Sequence, residues 1–472
     1  MVEIRYPNRD RLLACVHKAL RAWHSMNVDT ESLIDQLLLV QKEQKKLKRG
    51  YNPIELRDIT DRLLTECLDI LVQKDETSAV VLQERFIEKE TIISVAYKLN
   101  MSQDQLNRQQ REAINKLTEI ILYQERGLRE EKAAYFESHL QVQSATELFG
   151  FDKYLMDLIE QVSSPTSPWV ISIVGIGGIG KTSLADAVVR NILGRFYFEE
   201  VLWLRAESFL PETRKKVEDV DVRVFFDILS GLILSADVPV AERDSSLRWK
   251  IKSKPHLIVI DNLESEVDAS KLIRAITDLG NPSKFILTSR RRPPPKLGVF
   301  IYPLSELPLE DSHNLMVDYA EQIGLDEYIS DVSRNAEGIY SITGGNPLAL
   351  KLVIGLVDAL PLSNVLQDLK SSRPGDVESM YRHIYWKSWQ ALGIKSKALL
   401  QAMPLVAQEG GTLDHMRNNS GLDEAEFHHA VYKLYNRSLL ERRGSLEERR
   451  YGIHKLTETF LKTEIINWPP EG

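Results

Sequence analysis

The residues with the clearest chemistry are Gly175, Gly180, Lys181 and Thr182 in "GIGGIGKTS", which satisfy the spacing G-x-x-x-x-G-K-[ST]. Glycines so placed let backbone N–H groups converge on one concavity, and a helix starting near Lys181 adds its positive N-terminal end. The nest comprises Gly175, Gly177, Gly178, Ile179, Gly180, Lys181, Thr182 and Ser183. Lys181 is expected to reach the β- and γ-phosphates, and the Thr182 hydroxyl to bind Mg2+. ATP or ADP with Mg2+ is therefore the expected ligand. A second group lies in "HLIVIDNLE", where Asp261 ends an apolar strand and would hold the cation through water, or would merely begin a turn. Beside it Asn262 stands where a hydrolytic enzyme often carries another carboxylate. An amide is no base, so turnover is expected to be slow unless Glu264 helps. "FILTSR" brings Thr288, Ser289 and Arg290 to another strand end. The Arg290 guanidinium either senses a γ-phosphate or opens the solvated run "RRR". Asp261, Asn262, Glu264 and Arg290 are the catalytic candidates, and Thr182 and Asp261 the metal candidates.

Positioning these groups requires strands whose C-terminal ends meet. "WVISIV", "EEVLWLRA", "PHLIVID" and "SKFILTS" alternate with helical stretches, the pattern of a doubly wound parallel sheet. The α/β region is set at 143–300, followed by a helical region at 301–372 and a last compact unit at 373–472. Before it the chain reads as all-α: a helical region at 1–74, a tighter unit at 75–123 and a helical linker at 124–142.

In 75–123, three apolar stripes surround "NMSQDQ", in which Ser102 and Gln105 form a capping box. Short helices around a tight turn suit a helix-turn-helix. "AxxLxxS" (Ala96, Leu99, Ser102) is similar to region four of bacterial sigma factors. Gln103, Asn107, Arg108, Gln110 and Arg111 are the positions expected to face DNA. The segment 102–121 is neutral, since Asp104, Glu112 and Glu119 balance Arg108, Arg111 and Lys116. DNA reading and protein docking therefore both stay open.

A net charge of -8 argues against a chain that coats nucleic acid throughout. Cys15 and Cys67 have no metal-ligand spacing, and apolar runs fall far short of the ~18 residues of a membrane span. A cytoplasmic protein without membrane contact is expected.

"GIGGIGKTSLA", "LIVIDNLE", "FILTSR" and "TGGNPLALKL", in this order, resemble the NB-ARC branch of the STAND signalling ATPases, relatives of plant resistance proteins and of the apoptotic protease-activating factor. The resemblance implies a P-loop NTPase sheet, a helical domain and a winged-helix domain. It also implies that Pro347 packs on adenine and that His454 contacts the nucleotide's β-phosphate. Two positions depart from the family: Lys455 replaces an aspartate, and Phe151 follows Gly150 where arginine is usual. The implied function is a slow ATPase acting as an NLR-like switch in bacterial defence or conflict signalling. ADP would hold it closed, and ATP would open it and drive homo-oligomerisation. A separate sensor or effector protein is expected, or sensing by the N-terminal region or the winged helix. The alternative is an ATP-regulated DNA-binding transcription regulator.

Overall fold

The computed structural model describes residues 3–24, 37–45, 53–140, 148–166, 168–206, 222–263, 269–357, 359–371, 377–406, 410–444 and 449–466. Its contacts divide the chain into two compact units, Val2–Tyr135 with Gly194–Phe196, and Phe136–Leu193 with Tyr197–Gly472.

The first unit holds helices α1 (Arg9–Arg21), α2 (Leu38–Lys45), α3 (Pro53–Lys74), α4 (Glu76–Leu82), α5 (Ile92–Lys98) and α6 (Gln103–His139). Apolar residues at helical spacing give each a buried stripe: Leu12, Val16 and Leu20 meet Leu64, Leu68, Leu71, Leu117 and Ile121 in one core. The buried Glu125 carboxylate accepts from Leu38 N (3.0 Å) and Leu39 N (3.1 Å), capping α2, and pairs with Arg129 Nε at 2.6 Å. Val81, Val95, Ala96 and Leu106 form a second, smaller core. The turn between α5 and α6 puts Asn100 in the left-handed region, and the capping box is present. Ser102 N donates to Gln105 Oε1 (2.8 Å), and Gln105 N to Ser102 Oγ (3.2 Å).

The third helix of the 75–123 unit and the segment expected as a helical linker at 124–142 form one helix that runs unbroken to His139. One sequence expectation changes here, on the exposed face of α6. Gln103, Arg108 and Arg111 are exposed, whereas Asn107 and Gln110 are half-buried, and Gln110 accepts from Arg85 Nε at 3.2 Å.

The second unit begins with α7 (Asp152–Ser163) and a parallel sheet. Its strands are β1 (Val170–Val174), β2 (Val201–Arg205), β3 (Leu257–Asp261), β4 (Lys284–Ser289) and β5 (Phe300–Pro303), ordered β2-β3-β4-β1-β5. Helices α8 (Lys181–Leu193), α9 (Val222–Ile233), α10 (Arg243–Ser253) and α11 (Ser270–Leu279) make the crossovers. The central strands are buried along their whole length, which explains their unbroken apolar runs. Ile258, Ile260, Phe285 and Leu287 turn to one core with Phe225, Leu229, Leu272 and Ile276. Lys284 is the exception. Burial lowers its pKa to about 8, yet Nζ donates to the carbonyls of Gln161 (3.1 Å), Thr166 (2.6 Å) and Pro168 (2.9 Å), fastening the chain ahead of β1.

A helical region follows: α12 (Leu309–Gln322), α13 (Ile329–Arg334), α14 (Ala336–Thr343), α15 (Pro347–Val357), α16 (Leu362–Ser371) and α17 (Val377–Gln390). The last part runs α18 (Ile394–Ala402), β6 (Gly411–Thr412), α19 (Leu413–Ser420), α20 (Glu424–Asn436), β7 (Glu441–Gly444), β8 (Arg449–Gly452) and α21 (Lys455–Phe460). Its three strands form an antiparallel sheet in the order β6-β8-β7.

Candidate nucleotide site

Register brings the site residues to one edge. Val174 pairs with Ser289 and Ile173 with Thr288, while Asp261 is the last residue of β3. Parallel strands align their C-terminal ends, so the loop after β1, Asp261 and the end of β4 share one crevice. Gly175 N donates to Ser289 O at 3.2 Å, anchoring the loop to β4.

Within the loop, Gly178 (φ 73) and Gly180 (φ 101) take conformations that L side chains avoid. Lys181, only 6% exposed, is the first residue of α8, and its Nζ donates to the carbonyls of Gly175 (3.1 Å) and Ile176 (3.0 Å). The ammonium thus lies folded over the loop. Thr182 Oγ1 donates to Asp261 Oδ1 at 2.8 Å, and Thr288 Oγ1 donates to the same oxygen at 2.6 Å. Asn262 has φ 63, and its amide N–H donates to Thr288 Oγ1 at 2.8 Å. Glu264 lies outside the described residues. The Arg290 guanidinium is beside the loop, since a Cβ built on Gly177 would come within 3.2 Å of its Nη2.

Further residues come from outside the sheet. Phe151, 3% exposed, puts its ring against Gly180, where an added Cβ would sit 3.0 Å from the ring. This aromatic walls the loop at the position where arginine was expected. Pro347 is the first residue of α15, a position that needs no N–H donor. His454 caps α21, its Nδ1 accepting from Leu456 N at 3.2 Å. The Leu456 side chain reaches Gly177, 3.2 Å from a Cβ built there. Asn346 and Tyr381 were not foreseen at all. Asn346 Nδ2 donates to Gly177 O (3.0 Å), and the Tyr381 hydroxyl lies 3.2 Å from the same oxygen. The signal for Asn346 was present in "GGNPLAL", since Asn before Pro is an N-cap; nothing local to "SMYRHI" marks Tyr381.

A triphosphate and its cation fit these residues. The cradle is glycine-built, a cation is folded over it, and a hydroxyl and a carboxylate stand within hydrogen-bonding distance where a divalent ion would be shared. The fold and the loop define the class: a P-loop nucleotide-binding protein.

Residues 151–293 match the NB-ARC domain family. Through this region the chain is similar to NB-ARC proteins, the plant disease resistance proteins among them. It is 27% identical over 214 residues to the disease resistance protein RGA2 of Solanum bulbocastanum, covering 44% of this chain and 21% of that protein. It is 23% identical over 493 residues to the disease resistance protein RRS1 of Arabidopsis thaliana, covering 98% of this chain and 32% of that one. Among solved structures, a STAND protein with a tetratricopeptide repeat sensor from Pyrococcus horikoshii aligns at 17% identity and a TM-score of 0.44, covering 69% of this chain and 44% of the other. The chain thus spans a third or less of these plant relatives. No helix among the described residues is long and apolar enough to cross a membrane.

Proposed function

We propose that the chain is a nucleotide-controlled signalling switch. ADP holds the sheet, the helical domain and a C-terminal winged helix together, and exchange for ATP lets them part and the protein oligomerise. Defence or conflict signalling, with a separate sensor or effector protein, is the setting the plant relatives suggest. The observation that carries the reading is the company the phosphate loop keeps. Leu348 N donates to Gly178 O at 3.2 Å, the Tyr381 hydroxyl reaches Gly177 O, and Leu456 packs on Gly177. Three elements distant in sequence touch one loop, so a ligand in that loop can favour one arrangement over another. Lys181 and Thr182 would bind the phosphates, Thr182 and Asp261 would hold Mg2+, and Arg290 would sense the third phosphate. The bound cation would neutralise phosphate charge. With Asn262 beside Asp261, ATP turnover is expected to be slow. The winged-helix assignment rests on the order helix–strand–helix–helix–strand–strand and on the sheet order β6-β8-β7.

The test is His454→Asn. Asparagine caps a helix as well as any residue, so α21 should keep its start while the imidazole is lost. ADP should then dissociate roughly tenfold faster, the scale of one hydrogen bond to a charged group, with an unchanged melting temperature. An unchanged ADP release rate, read by stopped-flow with a fluorescent ADP, would remove His454 from the nucleotide's contacts.

A second reading is favoured by the small core around α5 and the capped start of α6, with Gln103, Arg108 and Arg111 exposed. This is a helix-turn-helix that could read DNA, used by an ATP-regulated transcription regulator. Its segment is neutral, so binding should be weak in a monomer and should emerge in an ATP-assembled oligomer. Fluorescence anisotropy with duplex DNA at low salt decides. Binding only with a non-hydrolysable ATP analogue, lost in Arg108→Ala/Arg111→Ala, supports this reading. No binding in either nucleotide state leaves a protein-docking role.

A further inference from the structure

The nest that receives phosphate is not held in shape by its own loop alone. Asn346 is 1% exposed, and both ends of its amide are hydrogen-bonded. Oδ1 accepts from Leu348 N (3.1 Å) and Ala349 N (3.3 Å), which caps α15 and fixes which end of the amide is oxygen. Nδ2 is thereby turned to Gly177 O, at 3.0 Å. Tyr381, 3% exposed, shares its hydroxyl proton between Asn346 Oδ1 and Gly177 O. The next carbonyl, of Gly178, accepts from Leu348 N.

The Gly177–Gly178 peptide is trans and planar, so its N–H points opposite to its C=O. A carbonyl drawn toward Asn346 and Tyr381 therefore directs the Gly178 N–H away from them. That N–H donates to no other group among the described residues. A half-buried donor with no protein acceptor is open to water or a ligand. The need for glycine follows from the same contact. A Cβ on Gly178 would overlap the Tyr381 hydroxyl and approach Leu348 Cβ to 2.7 Å, and φ is 73. The nucleotide-loop spacing requires only Gly175 and Gly180, so the extra glycine at 178 answers to Tyr381 and Leu348.

We infer that Asn346 and Tyr381 are positioning residues for the phosphate loop: they orient the Gly177–Gly178 peptide so that its N–H faces the bound phosphates. The inference rests on the nucleotide reading and adds to it the route by which the rest of the chain acts on the loop. Tyr381 stacks on Tyr385 (ring centroids 6.1 Å apart), and Tyr385 stacks on Phe460 of α21 (5.5 Å). Thr457 Oγ1 donates to the Tyr385 hydroxyl at 3.1 Å. Moving α21 or α17 would withdraw Tyr381 and free the peptide to turn, weakening the nest without touching Lys181.

The experiment is isothermal titration of the full chain with ADP and, separately, with inorganic pyrophosphate, which reads the loop without the adenine. Asn346→Ser keeps a capping oxygen for α15 but cannot reach Gly177. Tyr381→Phe keeps the ring stack and loses only the hydroxyl. Each should weaken ADP and pyrophosphate by the same factor, roughly fivefold, the scale of one hydrogen bond. The double variant should lose less than the product, because both residues act on one peptide. Pyrophosphate affinity equal to wild type in both variants would overturn the inference while leaving the nucleotide reading intact. Should Asn346→Ser fail to fold, Tyr381→Phe alone decides by the same criterion. A wild-type chain that bound neither ADP nor pyrophosphate would remove the nucleotide reading itself, and this inference with it.

Discussion

Lys181→Ala is expected to lower ADP and ATP affinity roughly 100-fold, about 2.7 kcal/mol, and to leave the apo protein's fold intact. The ammonium is buried and donates to the loop carbonyls of Gly175 and Ile176. Carbonyls are weak partners for a buried cation, and a phosphate oxygen in the same nest would be a far stronger one. Its removal therefore costs the complex a charge-assisted bond and costs the apo protein little, because a desolvated charge disappears with it. Calorimetric titration checks the first half and thermal unfolding the second. Unchanged affinity would mean that phosphate is held elsewhere. A collapse of the apo protein would mean that Lys181 is a structural pin.

The next largest effect is expected at Gly345, in "GGNPLAL". Its φ is 78, and an added Cβ would overlap the Leu307 carbonyl oxygen and come within 3.0 Å of the Tyr340 ring. Leu307 N also donates to Gly345 O at 3.0 Å, so two stretches of backbone run in direct contact and neither can yield cheaply. Gly345→Ala should destabilise by about 3 kcal/mol or more, combining left-handed backbone strain with a backbone clash. Gly344 is the internal control. Its φ is 61 and a Cβ there meets nothing within 4 Å, so Gly344→Ala should cost only about 1 kcal/mol. Asn346 follows directly, so Gly345→Ala should also loosen ADP. Equal melting temperatures, read on the unfolding transition of the unit that holds both glycines, would refute the packing argument.

Much of the nucleotide site could be read from local sequence because its chemistry is local. The glycine spacing, Lys181 and Thr182 lie within one strand–loop–helix, and a buried parallel strand announces itself as an apolar run. Asp261 could be placed at a strand end because strands in such a sheet end together, and it is the last residue of β3. The capping box at Ser102 and Gln105 was legible for the same reason, since its partners are three residues apart. Gln110 was misjudged as solvent-facing because its partner, Arg85, lies on another helix.

By itself, then, the sequence determined where a phosphate nest forms, which strands carry it and which family the order of motifs resembles. Only the tertiary structure decided that Phe151 walls Gly180, that Asn346 and Tyr381 hold the Gly177 carbonyl, and that Leu456 rests on the same glycine. Hydrogen-bond and helix periodicities repeat over a few residues and leave a trace in the string of letters. A contact between residues 177 and 381 leaves none, because it is set by how α15, α17 and α21 pack against the sheet, and any buried aromatic in α17 reads alike until that packing chooses one.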